Sequence, residues 1–208
     1  MTTTHRTRIK ICGLTREQDV DAAVAAGADA VGFVFYPKSP RYVTPQRAAE
    51  LARRLPPFVT PVGLFVNASD DELNAALAAL PNMLVQFHGD ETPAECERVK
   101  RPFIRAARMA PGFDLVEFAA AYSSAQALLL DAHVESYGGA GKSFDWDLVP
   151  AGLPLPLVLS GGLNAANVGA GIAKVQPWAV DVSSGVEAAK GIKDAALIDA
   201  FCAAVRAA

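Results

Sequence analysis

Short apolar runs alternate along this chain with segments whose apolar residues recur every three or four positions. The runs fall at 8–12, 30–35, 61–66, 83–87, 103–107, 127–130, 155–159 and 179–182, each of strand length and apolar along most of it. Between them, Val20, Ala23, Val24 and Gly27 stand at i, i+3, i+4 and i+7, as do Leu73, Ala76, Leu77 and Leu80. That spacing places four residues on one helix face. Ala48, Leu51, Ala52 and Leu55 repeat the stripe, then Val168, Gly171, Ile172 and Val175, and finally Leu197, Ile198, Phe201, Cys202 and Val205. Start signals precede most of these helices. Thr15 with Gln18, Ser69 with Glu72, and Thr92 with Glu95 read as capping boxes, and Thr44-Pro45 and Thr92-Pro93 put proline at a first helical position. A further helix is expected over 114–122.

Strands that are apolar on both faces and separated by helices imply parallel pairing with right-handed crossovers. Eight strand–helix units in 208 residues average 26 residues each. The expected fold is an α/β one, a (β/α)8 barrel at the short end of its size range. A doubly wound open sheet is the competing arrangement, but it has fewer strands as a rule, and no GxGxxG follows the first run. No linker or change of composition divides the chain, so one domain over 1–208 is expected. One unit breaks the rhythm. The stretch 131–154 contains Gly138-Gly139-Ala140-Gly141 and only a short helical candidate over 145–149; loops this long in a compact fold are usually functional.

Composition narrows the partners. The net charge is −3, with no basic excess to neutralise a nucleic-acid backbone. Mean hydropathy is +0.22, yet no apolar run approaches bilayer-spanning length, and the polar start resembles no export signal. The expectation is a cytoplasmic protein with neither nucleic-acid nor membrane partner. The three cysteines, Cys12, Cys96 and Cys202, are too few and too far apart for a disulfide framework. The three histidines, His5, His88 and His133, form no metal-binding spacing, so no metal site is expected.

A parallel barrel gathers the carboxyl ends of its strands on one face, which carries the chemistry. The polar residues expected there are Cys12, Lys38, Arg41, Gln86, His88, Arg105, Asp131, Ser160, Gly161, Gly162, Asp181, Ser183, Ser184 and Gly185. Gly161-Gly162, ahead of a helix expected near Asn164, and Ser183-Ser184-Gly185 suit an anion, because glycines let backbone N–H groups come close. Phosphate sites in barrels recur after strands seven and eight, and Gly138, Gly139 and Gly141 could close over the same place. Cys12 reads either as a catalytic residue or as a small buried apolar one. Asp131, at the rim of an apolar strand, reads either as a proton donor or as a cap. Arg41 has the planar fork that suits a ligand carboxylate, or is a solvated loop cation. His88 reads first as a structural residue. Cys96 and Cys202 fall on apolar helix faces and read as core.

The motifs together resemble one family. Lys10-Ile11-Cys12-Gly13-Leu14-Thr15 comes first. Gly32-Phe33-Val34-Phe35, Lys38-Ser39-Pro40-Arg41-Tyr42-Val43, Val62-Gly63-Leu64-Phe65-Val66-Asn67 and Gln86-Phe87-His88-Gly89 follow in order. Leu130-Asp131, Tyr137-Gly138-Gly139-Ala140-Gly141, Phe144-Asp145-Trp146, Leu159-Ser160-Gly161-Gly162-Leu163 and Asp181-Val182-Ser183-Ser184-Gly185-Val186-Glu187 complete the series. The chain is similar in this to the phosphoribosylanthranilate isomerases of tryptophan biosynthesis. It departs in Phe87, where leucine is common, and Ala140, where threonine is common. The resemblance implies a cofactor-free Amadori rearrangement of a phosphosugar. It implies Asp131 as general acid, Cys12 as general base, Arg41 on the anthranilate carboxylate and the glycine loops on the phosphate. A histidine-pathway isomerase acting on two phosphates is the enzyme alternative. Both Gly-Gly pairs lie in the second half of the chain, which favours one phosphate. The indole-forming synthase of the same pathway fits less well, since Lys10 lies within a strand and no other strand-end lysine is evident. A non-catalytic phosphate-binding barrel is the alternative of another class. The helix exteriors leave no large apolar stripe, so a monomer is expected over a homodimer.

Overall fold

The computed structural model describes residues 6–132 and 143–208. Eight strands form a closed barrel in chain order: β1 (Arg8–Cys12), β2 (Ala30–Val34), β3 (Thr60–Phe65), β4 (Leu84–Phe87), β5 (Phe103–Met109), β6 (Ala127–Ala132), β7 (Leu157–Leu159) and β8 (Ala179–Val182). Every neighbouring pair is parallel, and β8 closes on β1 with Lys10 opposite Asp181. All eight strands lie where the apolar runs place them, within one or two residues at each end. The helices on the outside are α1 (Glu17–Ala25), α2 (Pro45–Ala52), α3 (Asp70–Ala79), α4 (Pro93–Glu97), α5 (Leu115–Ala121), α6 (Val168–Val175) and α7 (Ala195–Ala207).

Strand alternation sorts the side chains into two layers. Ile9, Ile11, Val85, Phe87, Val180 and Val182 point outward and pack beneath the helices with Val20, Ala48, Leu51, Phe201 and Cys202. Ile104, Ala106, Ala127, Leu129, Val158 and Ala179 point inward and form a separate interior cluster. Cys96 and Cys202 are buried in the outer layer. Local chemistry explains most helix starts. The Ser69 and Thr92 side chains accept from the Glu72 and Glu95 N–H groups, and both glutamates reach back to close capping boxes. Thr44 accepts from Arg47 N ahead of Pro45.

Two expected starts are displaced. Helix α1 begins at Glu17 with no side-chain cap on Arg16, because the Thr15 hydroxyl donates to Gly191 O at 2.7 Å instead. Helix α6 begins at Val168, after a turn over 164–167 in which Asn164 N donates to Asn167 Oδ1, and not near Asn164. Among the described residues after β6, the short helical candidate over 145–149 is a 3-10 turn, Trp146–Leu148. After β8 comes an element the pattern did not suggest, a small antiparallel hairpin of β9 (Glu187–Ala189) and β10 (Ile192–Lys193). No helix among the described residues is long and apolar enough to cross a membrane.

Candidate active site

Cys12 ends β1 and Asp131 stands one residue from the end of β6. Ile9 and Ile11 face outward, so Lys10 and Cys12 face inward; Leu128 and Leu130 face outward, so Leu129 and Asp131 face inward. The thiol and the carboxyl group therefore share the barrel interior at its carboxyl end, on strands separated by β8 and β7. Cys12 is buried against β2, where Gly32 is its register partner. A Cβ at Gly32 would stand 2.6 Å from Cys12 Sγ, so only glycine leaves the thiol its place.

Asp131 is fixed from two sides. Its Oδ1 accepts from Ala132 N at 2.9 Å, and its Oδ2 lies 3.0 Å from His88 Nε2. Gln86 Nε2 donates to His88 Nδ1 at 3.1 Å, which leaves the ring proton on Nε2, directed at the carboxylate. Gln86 and His88, two residues apart and both buried, thus form a chain that ends on Asp131.

A group of buried charges surrounds the thiol. Lys10 Nζ donates to Asp181 Oδ1 at 2.8 Å, and Asp181 Oδ2 takes the Ser160 hydroxyl at 3.3 Å. Arg41 donates from Nε and Nη2 to the two oxygens of Glu187, at 2.7 and 2.8 Å. Lys193 Nζ donates to the same Glu187 and to Ser183 O, each at 2.9 Å. Burial pushes the Cys12 thiol above its usual range; Lys10 and Lys193 pull it down and Asp181 pushes it up again, leaving it raised. Burial pulls Lys193 below the usual lysine range despite Glu187. For Lys10, burial is outweighed by Asp181, and its pKa is raised. Glu187 is lowered: burial opposes this, and the Arg41 hydrogen bond and the Lys193 charge prevail.

The loops after β7 and β8 meet beside Asp131. Gly161 and Gly162 have φ of +81° and +63°, and Gly161 lies against Ala132 N and Asp131 Oδ1. A Cβ at Gly185 would stand 1.9 Å from Leu163 O, so this glycine alone permits the β8 loop to seat on the β7 loop. Ser184 and Gly185 form a 3-10 turn with Val186, and the Ser183 hydroxyl donates to Cys12 O at 3.1 Å. The result is a glycine-lined cradle between the acid and the thiol, of the kind whose backbone amides suit an anion. Among the described residues, no group of three or more His, Cys, Asp or Glu side chains is placed to hold a metal ion.

The family model for N-(5'phosphoribosyl)anthranilate (PRA) isomerase matches residues 9–204. The chain belongs to the phosphoribosylanthranilate isomerase family. It is 73% identical over 201 residues to the N-(5'-phosphoribosyl)anthranilate isomerase of Methylibium petroleiphilum, a match covering 97% of this chain and 94% of that one. The phosphoribosyl anthranilate isomerase structure from Thermotoga maritima is 43% identical with a TM-score of 0.88, covering 97% of this chain and all of that one. A further isomerase structure, in complex with reduced 1-(o-carboxyphenylamino)-1-deoxyribulose 5-phosphate, is 39% identical with a TM-score of 0.83 over the same shares.

Within this isomerase fold, most of the residues expected at the strand ends do meet at the mouth: Cys12, Arg41, His88, Asp131, Ser160, Gly161, Gly162, Ser183, Ser184 and Gly185. Asp181 lies one inward layer deeper, opposite Lys10. Gly138, Gly139 and Gly141 lie outside the described residues. Arg105 does not reach the mouth. It faces outward from β5, donates to Phe87 O and Gly89 O, and lies over the Tyr122 ring with 4.9 Å to its centroid. Three site residues escaped the sequence reading. Lys193 and Glu187 sit on the unforeseen hairpin, though Glu187 closes a quoted motif. Arg108 is the register neighbour of Asp131, because β5 runs to Met109 rather than stopping at Ala107; it pairs with Asp90. Its signal was present, since Ile104, Ala106 and Arg108 share one face of the strand.

Proposed function

We propose that this chain converts N-(5-phosphoribosyl)anthranilate to 1-(2-carboxyphenylamino)-1-deoxyribulose 5-phosphate with Asp131 as acid and Cys12 as base. The observation that carries the assignment is the pair itself: a buried thiol and a buried carboxyl on opposite arcs of one barrel mouth, with the glycine cradle between them. The phosphate would occupy the cradle of Gly161, Gly162, Ser184 and Gly185. The pentose would then lie between Cys12 and Asp131. Glu187 takes Arg41 Nε and Nη2, which leaves Nη1 for the anthranilate carboxylate. Asp181, turned toward Lys10 and Ser160, supports the site from below rather than offering a free oxygen to substrate.

Asp131 protonates the furanose ring oxygen, the bond from that oxygen to C1′ breaks, and the anilino nitrogen lone pair forms the cationic imine. The carboxylate left behind is received by His88 Nε2–H and Ala132 N–H, both already in place. The Cys12 thiolate takes the C2′ proton, the C–H electrons form the C1′–C2′ double bond, and the imine cation is neutralised. The enolamine then gives up its C2′ hydroxyl proton and gains one at C1′, yielding the ketose. A thiol of unperturbed pKa is only about 3% thiolate at neutral pH. The acidity that the imine cation lends to C2′–H reduces the demand on that fraction.

The test follows loss of phosphoribosylanthranilate fluorescence with purified protein and no nucleotide. Cys12→Ala and Asp131→Asn are each expected to lower kcat by at least about 10²-fold with unchanged thermal unfolding. Near-normal turnover in either variant removes that residue from the mechanism. Substrate binding by the wild-type chain without turnover would favour the non-catalytic barrel.

For assembly, the sequence reading of a monomer is retained. Phe58, fully exposed ahead of β3, is too small a patch to form an interface of the usual ~800 Å² per partner by itself. A sedimenting species of twice 21.8 kDa would overturn this.

A further inference from the structure

Lys10 is a buried lysine on the inward face of β1, in the same barrel interior as the apolar cluster of Ile104, Ala106, Ala127, Leu129, Val158 and Ala179. It stands two residues before Cys12 on the same inward face, on the side of the thiol away from the mouth, so it is placed beneath Cys12. A buried ammonium of this kind is costly unless paired, and Asp181, its register partner on β8, pairs it at 2.8 Å.

That pair alone is neutral and needs no thiol. The surroundings are not neutral. Facing Cys12 are Lys10 from β1, Asp181 from β8, Lys193 from β10, and Arg41 from the loop after β2. Glu187 from β9 is shared by Arg41 and Lys193. All five side chains are nine-tenths or more buried. Three cations and two carboxylates leave one positive charge, and a Cys12 thiolate is the group in their midst that cancels it. A neutral thiol leaves the excess charge buried, which low-dielectric surroundings penalise.

We propose that Lys10, held in place by Asp181, is a positioning residue whose charge stabilises the Cys12 thiolate, the form in which Cys12 accepts the C2′ proton. The inference rests on the assignment of Cys12 as base. Lys10 lies against the Cys12 thiol. Its action is through the thiol, which burial alone would keep protonated. Lys193 and Arg41 act on the same thiol from the mouth side, but both are tied to Glu187, whereas Lys10 approaches from within the barrel.

The readout is thiolate absorbance near 240 nm against pH, taken as the difference between each protein and its Cys12→Ser counterpart, so that Cys96 and Cys202 cancel. In Lys10→Met the Cys12 midpoint should rise by at least about one pH unit, a tenfold loss of thiolate at a given pH. Its kcat should fall about tenfold near neutrality, recover as pH rises, and leave KM within about threefold. Lys10→Arg, which keeps the charge, should restore both. Asp181→Asn should move the midpoint the other way, downward, by freeing the Lys10 charge. That opposite sign keeps the proposal testable even if Lys10→Met fails to fold. An unchanged midpoint in Lys10→Met, or an unchanged or raised midpoint in Asp181→Asn, overturns it and leaves a merely structural ion pair. Full activity in Cys12→Ser would instead sink the assignment of the base, whatever the midpoints show.

Discussion

Cys12 could not be assigned from its own surroundings in the sequence, because most free cysteines are small core residues. What separates it from Cys96 and Cys202 is where each points. Cys96 and Cys202 face the outer layer, and burial pushes them up to about 12 and about 11. Cys12 faces inward among three cations. Gly32 makes the difference physical: its missing Cβ is the space the sulfur occupies. Gly32→Ala should displace Sγ and cost at least about tenfold in kcat, since ångström-scale misplacement at a reacting centre can cost far more. Steady-state kinetics with unaltered thermal unfolding would bear this out, and full activity would show the thiol tolerates movement. The two structural thiols set a stability expectation as well. They keep their protons in the folded chain above pH 9, where unfolded thiols lose theirs, so the folded state binds more protons and stability falls as pH rises. Their contribution is intact below about pH 8.5 and declines toward pH 11–12, by about 1.4 kcal/mol per pH unit for each thiol. Urea midpoints should fall between pH 8 and 10, and fall less in Cys96→Ala/Cys202→Ala; equal slopes would contradict the assignment.

At the level of elements, the strands and long helices were legible because each announces itself in a short window: an apolar run, a four-position stripe, or a cap such as Ser69 with Glu72. The hairpin was not. Glu187–Ala189 and Ile192–Lys193 are two short, partly polar strands, and their pairing depends on contacts far away in sequence. Thr15 Oγ1 reaches Gly191 O, Arg16 Nη2 reaches Lys193 O, and Asp19 accepts from Lys193 N. The same contacts explain the failed cap on α1, since a hydroxyl claimed by the hairpin cannot close a helix end. Through Glu187 the hairpin also holds Arg41, so a residue assigned to substrate from its motif turns out to be half committed to the protein. Arg41→Ala should raise KM by about tenfold or more, with a smaller effect on kcat. Glu187→Gln should raise KM less, because the fork is loosened rather than removed. Equal KM values in wild type and Arg41→Ala would detach Arg41 from the substrate carboxylate.

Taken whole, the molecule illustrates why barrels can be read from sequence before their chemistry can. Closure follows from eight repeated units and parallel handedness, each a local or topological rule. The site follows from which face of each strand looks inward, and a one-residue error reverses that answer. Arg105 and Arg108 show it: the first was expected at the mouth and faces the helices, while the second was passed over and faces in beside Asp131. Asp131 and Cys12 were placed correctly because both strands end on them or one residue beyond.

The most direct measurement is a crystal structure of this chain with reduced 1-(o-carboxyphenylamino)-1-deoxyribulose 5-phosphate. The phosphate should rest on Gly161, Gly162 and Gly185, with Cys12 Sγ and an Asp131 carboxylate oxygen each within about 4 Å of the sugar chain and on opposite sides of it. A ligand seated at the other end of the barrel, or one that leaves either group out of reach of the sugar carbons, would contradict the account.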